Sequence, residues 1–337
     1  MEIVYFSIGL SAVFIFSLAI VYGLKQNFSN TLLDIPNERS THTQPTPRGG
    51  GLGFTIAFGL AYSIAAVTRT FWHTFWNSEI IPSWSLWYTL IPLSILGFLD
   101  DRYNLSARIR YIVQLGTSGI AVAYFGIFPQ PWFTDLGIGG LAISSVITVI
   151  GMTALINFYN FMDGLDGLVA GVTVVQLTFL GWYFDQPMLY FLASAIMGFL
   201  YWNWSPAKIF MGDVGSTGLG AIISIALLNH HSDVSTAWSA LTITLPISAD
   251  AIYTLCRRLS LGENIFQAHR SHIYQRLQIR GWSHAQVAYV YIGLTIGIAV
   301  SLSLWDSLGA ILALIVSSIA ILGSELYLSG SRKTGAE

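Results

Sequence analysis

Residues 157–168 read NFYNFMDGLDGL, placing Asn157, Asn160, Asp163 and Asp166 between long apolar runs. Whether this stretch lies inside a hydrocarbon layer or between two spans decides how the rest of the chain is folded. The chain has 337 residues, 54% hydrophobic and 9% charged, where soluble domains carry about 25% charged residues. That composition describes an integral membrane protein. In hydrocarbon two carboxylates so close together are expensive. The stretch is therefore read as a connection, and the spans are counted around it.

A membrane helix needs ~20 predominantly apolar residues. Eleven runs qualify, near 3–24, 50–68, 80–99, 109–128, 139–158, 166–184, 187–203, 215–229, 237–256, 285–305 and 308–328. The first follows Glu2 with no basic segment before it, so it is read as a retained helix rather than a cleaved signal. The eighth is short and rich in glycine. No fixed-period repeat emerges, which argues against an inverted-repeat transporter.

The distribution of positive charge tests the count, because lysine and arginine concentrate in cytoplasmic connections. With the N-terminus outside, Lys25, Arg39, Arg48, Arg102, Arg108, Arg110, Lys208, Arg257, Arg258, Arg270, Arg276, Arg280, Arg332 and Lys333 all fall on the cytoplasmic side. Of the fifteen basic residues only Arg69 falls outside. A miscount by one span would scatter them. The expected fold is an all-α polytopic membrane protein of about eleven transmembrane helices, N-terminus outside and C-terminus cytoplasmic. One integral membrane domain covers 1–330, with cytoplasmic loops near 25–49, 100–108, 157–166, 204–214 and 257–284 and a short tail at 331–337.

Net charge is −2, and no lysine or arginine run is present, so no nucleic-acid partner is expected. Cys256 is the one cysteine, which excludes an intrachain disulfide and a cysteine-based zinc site.

Five polar clusters fall on the cytoplasmic side: PNERSTHTQPTPRGGG in the first loop, GFLDDRYN, NFYNFMDGLDGL, KIFMGDVGSTGLG and AHRSHIYQRL. Each has an ordinary reading. Asp100 and Asp101 can cap a helix end, Asp-Gly is a common turn pair, and Asp213 can cap the helix that follows it. His73, His230, His231 and His284 are read as structural, and Asp250 as the partner of Arg257 or Arg258. Convergence of all five on one side favours a single site. Asp100, Asp101, Asp163, Asp166 and Asp213 would repel one another without a cation among them, and no lysine or arginine obviously serves. Oxygen-only donors suit a hard ion such as Mg²⁺, with Mn²⁺ as the alternative, completed by substrate phosphates. Basic and histidine-bearing loops suit phosphate oxygens.

The motifs LDDRYN, NFYNFMDGLDGL, FMGDVGS and HRSHIYQR, in this order over nearly the whole chain, resemble the polyprenyl-phosphate N-acetylhexosamine-1-phosphate transferases, glycosyltransferase family 4. DIPNERSTHTQPTPRGGG and HRSHIYQRL look closest to the branch that initiates O-antigen. The resemblance implies a multi-pass enzyme of the bacterial inner membrane that moves a sugar-1-phosphate from a UDP-N-acetylhexosamine to undecaprenyl phosphate with Mg²⁺, releasing UMP. It also implies a homodimer. Carried over by position, Asp100 and Asp101 match the paired catalytic acids, and Asp213, with Asp101, the metal ligands. Phe210 matches an aromatic that stacks on uracil, and Gly164, Leu165 and Asp166 match the uracil contact. Asp163, Asn157 and Asn160 line the nucleotide-sugar site, and His269, Arg270 and His272 meet diphosphate or sugar. His42 or Arg39 stands in for a first-loop lysine of the muramoyl enzymes. Two departures matter: Asn104 replaces a third acid of many relatives, and His269-Arg270-Ser271-His272 replaces the muramoyl enzymes' histidine triplet, which argues for a different sugar. The competing reading is a transporter with a cation- or proton-coupled acidic site.

Overall fold

The computed structural model describes residues 2–36, 42, 44–67, 83–228, 233–265, 267 and 269–330. Arg39, Arg69, His73, His230, His231 and the 331–337 tail lie outside the described residues.

The chain forms helices α1 (Glu2–Phe28), α2 (Gly51–Val67), α3 (Ser83–Tyr103), α4 (Ala107–Phe125), α5 (Gly137–Met162), α6 (Leu168–Tyr183), α7 (Pro187–Asn203) and α8 (Gly212–Leu228). They are followed by α9 (Val234–Leu241), α10 (Leu245–Ser260), α11 (Ile273–Ile279) and α12 (His284–Ser329). Four helical stretches are long and apolar enough to cross a membrane, namely Ile3–Phe28, Pro131–Met162, Val234–Ser260 and His284–Ser329. Ile3, Ile8, Ile138, Val146, Leu304, Ile319 and Leu326 are all exposed on them. Apolar side chains facing outward along whole helices need a hydrocarbon solvent, since water-soluble surfaces do not present such continuous patches. This is the construction of an all-α membrane protein.

Two details depart from the expected elements, and a third shows how two expected spans are joined. The run at 237–256 is not one helix: α9 and α10 are joined by a 3₁₀ turn at Thr242–Thr244, with Pro246 entering α10 in its first turn, where its missing N–H is tolerated. The runs at 285–305 and 308–328 are two helices, as expected, joined within α12 at the non-helical Asp306 (φ 43°, ψ −110°), whose carboxylate accepts the Tyr183 hydroxyl. The first loop carries a short antiparallel pair, β1 (Leu33–Asp34) and β2 (Thr46–Pro47), in which Asp34 faces Thr46. This pair brings the acid at 34 beside Arg48.

Helix α8 occupies the centre. Val214 to Thr217 and Leu219 to Leu228 are all buried, and α8 packs on α2, α3 and α5. Its glycine content follows from that position. A Cβ on Gly97 of α3 would fall on the backbone of Asp213 and Val214, and one on Gly220 would meet the backbone at Ile156 of α5. Small residues let helices approach at backbone distance.

Candidate functional site

The acidic residues are brought together at the N-terminus of α8. Asp101, buried at the end of α3, accepts the Asp213 N–H on both carboxylate oxygens at 3.1 Å. The cap of α8 thus comes from a different helix, where the sequence offered Asp213 itself. A carboxylate there satisfies an orphan N–H and sits at the positive end of the helix dipole. Gly212 precedes it at φ 74°, and a Cβ on Gly212 would strike the Asp101 carboxylate.

Asp100, one residue earlier, accepts the Leu105 N–H at 2.6 Å on Oδ1 and Arg110 Nη1 at 2.9 Å on Oδ2. The turn after α3 wraps around it. Asn104 takes φ 51°, a left-handed conformation that asparagine tolerates better than most residues. Its exposed side chain stands apart from the acids, so the third acid of the motif has been replaced by a turn residue.

Two arginines lie among the carboxylates, where the sequence pointed to none. Arg110 also lies 3.6 Å from Asp213. Arg48 bonds Asp34 at 2.8 Å and lies 3.6 Å from Asp101. They neutralise part of the cluster. Burial, reinforced by Asp101 and Asp213, still holds Asp163 well above the usual carboxylate range. Burial also raises Asp101 and, together with Asp100 and Asp101, raises Asp213. These groups lie beyond the apolar spans, and two arginines set among Asp100, Asp101, Asp163 and Asp213 leave the site short of positive charge.

Two cavities open beside this cluster. The larger, about 260 Å³, is lined by Asp34, His42, Arg48, Asn160, Asp163 to Asp166, Asn203, Phe210 to Asp213 and Gln275. The smaller, about 10 Å³, is lined by Asp100, Arg110, Gln114, Asn157, Asn160, Asp213, Thr217, Leu96 and Gly97. Asp213 and Asn160 belong to both. Asn157 donates to Gln114 at 2.8 Å and Asn160 to Ser216 at 3.1 Å, so both asparagines of the motif sit on the side of α5 that faces α4 and α8.

At the far wall, Phe210 meets the His42 ring edge-on at 4.8 Å, and its N–H donates to Pro47. The 163–167 turn is fastened from outside its own sequence. Asn203 accepts the Gly167 N–H at 3.0 Å and donates to Ile209 O. Asp166 Oδ2 accepts the Ala207 N–H at 3.1 Å and lies 3.2 Å from His284 Nδ1. Gly164 lies against Tyr274, whose hydroxyl donates to Phe161 O at 2.8 Å.

The histidine-bearing segment is placed differently from expectation. His272 is 2% exposed, and its Nδ1 lies 3.4 Å from Asp250. His269 pairs with the Ser271 hydroxyl, and burial pulls it down to about 4. Arg270 lies 3.4 Å from Gln278. None of the three lines either cavity, and it is Gln275 that reaches the larger one. Asp250 is not the partner of Arg257 or Arg258. It accepts the Ile273 and Tyr274 N–H groups at 3.0 and 3.2 Å, the Tyr291 hydroxyl at 2.6 Å and the Thr254 hydroxyl at 3.0 Å. Arg258 turns to Glu263 at 2.9 Å and Arg257 lies near Glu325. A buried carboxylate is stabilised by such N–H and O–H donors as well as by a cation.

Arg48, Arg110, Asn203, Gln275 and His284 are site residues that sequence reasoning left out. Arg110 carries a faint signal, since it stands ten residues after Asp100, close enough to return across one turn. The others meet the site through pairings that no local pattern announces.

Among the described residues no three His, Cys, Asp or Glu side chains are close enough to cage a metal. The donor set at Asp101 and Asp213 is two carboxylates with oxygen donors only and unbalanced negative charge. That fits Mg²⁺, which binds through one or two carboxylates and takes its remaining ligands from phosphates and water.

The close contact at Gly97 gives a direct check on the site's geometry. Gly97→Ala pushes backbone against backbone at Asp213, an overpacking of about 1–3 kcal/mol. The expected result is a lowered thermal midpoint in detergent together with reduced activity. Unchanged values in both would show that α8 can shift freely.

An acid-lined cleft at the head of a buried helix, flanked by two arginines and an aromatic wall, defines a protein that handles phosphorylated ligands at a membrane. Comparison with known proteins agrees. The family model described as Glycosyl transferase family 4 matches residues 83–231, which contain Asp100, the 157–168 motif and Asp213. The chain is 32% identical over 315 residues to a probable undecaprenyl-phosphate N-acetylglucosaminyl 1-phosphate transferase of Bacillus subtilis, covering 84% of this chain and 82% of that one. It is 29% identical to the undecaprenyl-phosphate alpha-N-acetylglucosaminyl 1-phosphate transferase of Thermotoga maritima, over 78% of each chain. It is also 29% identical to the phospho-N-acetylmuramoyl-pentapeptide-transferase of Levilactobacillus brevis, over 77% of this chain and 83% of that one. The chain belongs to glycosyl transferase family 4, among the polyprenyl-phosphate sugar-1-phosphate transferases.

Proposed function

We propose that the protein transfers an N-acetylhexosamine-1-phosphate from a UDP-sugar to undecaprenyl phosphate, giving the lipid diphosphate sugar and UMP. The observation that carries this reading is the adjoining of two polar cavities at Asp213 and Asn160. The larger takes the nucleotide sugar, with Phe210 on the uracil face, Asp166 and Leu165 on its edge, and Asp163 and Gln275 towards diphosphate and sugar. The acceptor phosphate lies at Asp100 and the partly exposed Arg110, at the mouth of the smaller cavity, whose own volume admits about one water. Each of the two anions then has an arginine, and their reacting ends meet at the head of α8.

The physical task is to bring two anions into line and let UMP depart, which is mostly positioning and charge neutralisation. A lipid phosphate oxygen attacks the β-phosphorus, and the bond to the UMP oxygen breaks with the electron pair leaving on UMP. Mg²⁺, held by Asp213 and Asp101, would supply charge neutralisation at the diphosphate. Arg110 orients the acceptor, and Arg48 holds Asp101 and the first loop. Both Asp100 oxygens are engaged by Leu105 and Arg110, which suits a positioning group in a direct displacement better than a covalent nucleophile. UMP released in one burst before acceptor is added would overturn direct displacement.

In this reading eleven spans place the N-terminus outside and the site at the cytoplasmic face of the inner membrane, where soluble UDP-sugars meet a lipid that cannot leave the bilayer. The product would start O-antigen or another envelope polysaccharide. The deciding experiment supplies purified protein with undecaprenyl phosphate, Mg²⁺ and a panel of UDP-sugars, beginning with UDP-N-acetylglucosamine. Label passing into an organic-soluble product with equimolar UMP is expected. Uptake into vesicles without UMP release would sink the reading in favour of transport.

A further inference from the structure

We infer that His284 is a positioning residue for the nucleobase: it fixes Asp166 from the opposite end of the chain and so sets the preference for a base that offers an N–H. The inference rests on the reading that the larger cavity takes uridine nucleotides.

Asp166 lines the larger cavity, and its carboxylate is gripped on one oxygen alone. Oδ2 accepts the Ala207 N–H at 3.1 Å and lies 3.2 Å from His284 Nδ1, while Oδ1 takes no protein hydrogen bond among the described residues. The two side chains are 10% and 13% exposed, so the contact is shielded from water, where charge-assisted hydrogen bonds are stronger.

His284 itself is rigidly held. It is the first residue of α12, directly after the Ser283 cap, whose box with Gln286 closes at 2.8 and 3.2 Å. One turn further on, Tyr289 packs on Trp204 with ring centres 5.2 Å apart, and Trp204 in turn lies against Gly167. The start of α12, the 204–207 loop and the 163–167 turn therefore form one unit.

Nδ1 lies 3.2 Å from Oδ2 and 3.4 Å from the Asp166 N–H. A single ring nitrogen cannot donate to the first and accept from the second. A proton on Nδ1 satisfies the carboxylate. In that state Asp166, which lines the cavity, is an acceptor whose Oδ1 is taken by no protein group among the described residues. An acceptor there pairs with the N3–H of uracil and meets a lone pair at N3 of cytosine, so the base is selected by hydrogen-bond polarity. A site that leaves a buried polar group unpaired with the wrong ligand discriminates strongly.

The test compares His284→Gln, which keeps a donor, with His284→Met, which keeps bulk and loses it. In wild-type enzyme UMP should inhibit at least about tenfold more tightly than CMP or N3-methyl-UMP. His284→Met should raise the KM for the UDP-sugar and the inhibition constant of UMP roughly 10- to 100-fold, the scale of a charge-assisted hydrogen bond. The expected kcat stays within about twofold, the signature of lost uniform binding. His284→Gln should restore most of the affinity. A folded His284→Met with unchanged KM, a fall in kcat alone, or no rescue by glutamine would each overturn the inference. So would wild-type enzyme that accepts CMP as well as UMP, even where the variants do not fold. A wild type that turns over no UDP-sugar fails at the underlying reading, which is a separate result.

Discussion

Asp213→Asn and Asp100→Asn are each expected to lower turnover by roughly 10²- to 10⁴-fold, the range seen when one charged contact to a transferring phosphoryl group is removed. The two act at different points. Asp213 lines both cavities and faces Arg110 at 3.6 Å, so its loss removes the carboxylate where donor and acceptor meet. Asp100 holds Arg110 at 2.9 Å and anchors the turn through Leu105, so its loss frees the arginine proposed to hold the lipid phosphate. The α8 cap is supplied by Asp101 rather than Asp213, and Asp100→Asn keeps an amide oxygen to accept the Leu105 N–H. Both variants should therefore insert, and purify with near wild-type thermal midpoints. UMP release measured under single-turnover conditions checks the pair. Near wild-type rates in either would refute its assigned role.

Asp250→Ala is expected to produce the largest loss of stability. The buried carboxylate accepts two backbone N–H groups and two hydroxyls drawn from α10, α11 and α12. Removing it strands these donors away from water. Each buried unsatisfied donor costs about 1–3 kcal/mol, and losing one partner of a buried charged network costs about 3–5 kcal/mol. The damage should start locally. Ile273 and Tyr274 lose their anchor, the Tyr274 hydroxyl leaves Phe161, and Gln275 moves off the cavity. Amide exchange across 269–279, followed by mass spectrometry, should rise well before the global transition. Asp250→Asn keeps an acceptor for one of the backbone groups and should fall between. Equal protection of this segment in the alanine variant and the wild type would show that α11 is held by something else.

The parts of this molecule that could be read in the linear chain are those set by local composition. Apolar runs marked the helices, and side chains such as Asp100, Asp163 and Asp213 stood out because hydrocarbon-rich sequence carries few acids. The break of α9 and α10 at Thr242 was hidden because Thr242 to Thr244 is apolar enough to continue a span. What holds the site was not legible. Asp250 has Arg257 and Arg258 two turns away on its own helix, which made them natural partners. The actual donors are backbone groups 23 and 24 residues on, and backbone N–H groups leave no trace in a sequence. His284 looked structural because nothing near it is acidic; its acid stands 118 residues earlier. The histidines at 269 and 272 drew attention by residue type, yet His272 is buried against Asp250 and Tyr274 with its backbone N–H on Gln275, and His269 lies against the His272 ring.

Helix α12 reaches the site once directly, through His284 to Asp166, and braces the elements behind it twice, through Tyr291 to Asp250 and through Glu325 to Arg276. The residues matched by the family model end at 231, and Asp100, Asp101, Asp163, Asp166 and Asp213 all precede this helix in the chain. The acids at 100, 101 and 213 are held by partners that also come early, Leu105, Arg110 and the Asp213 N–H, whereas the clamp on Asp166 comes with the last part of the chain. A chain that stops short of its final two spans would carry every motif of its family and still lack the brace that aligns them.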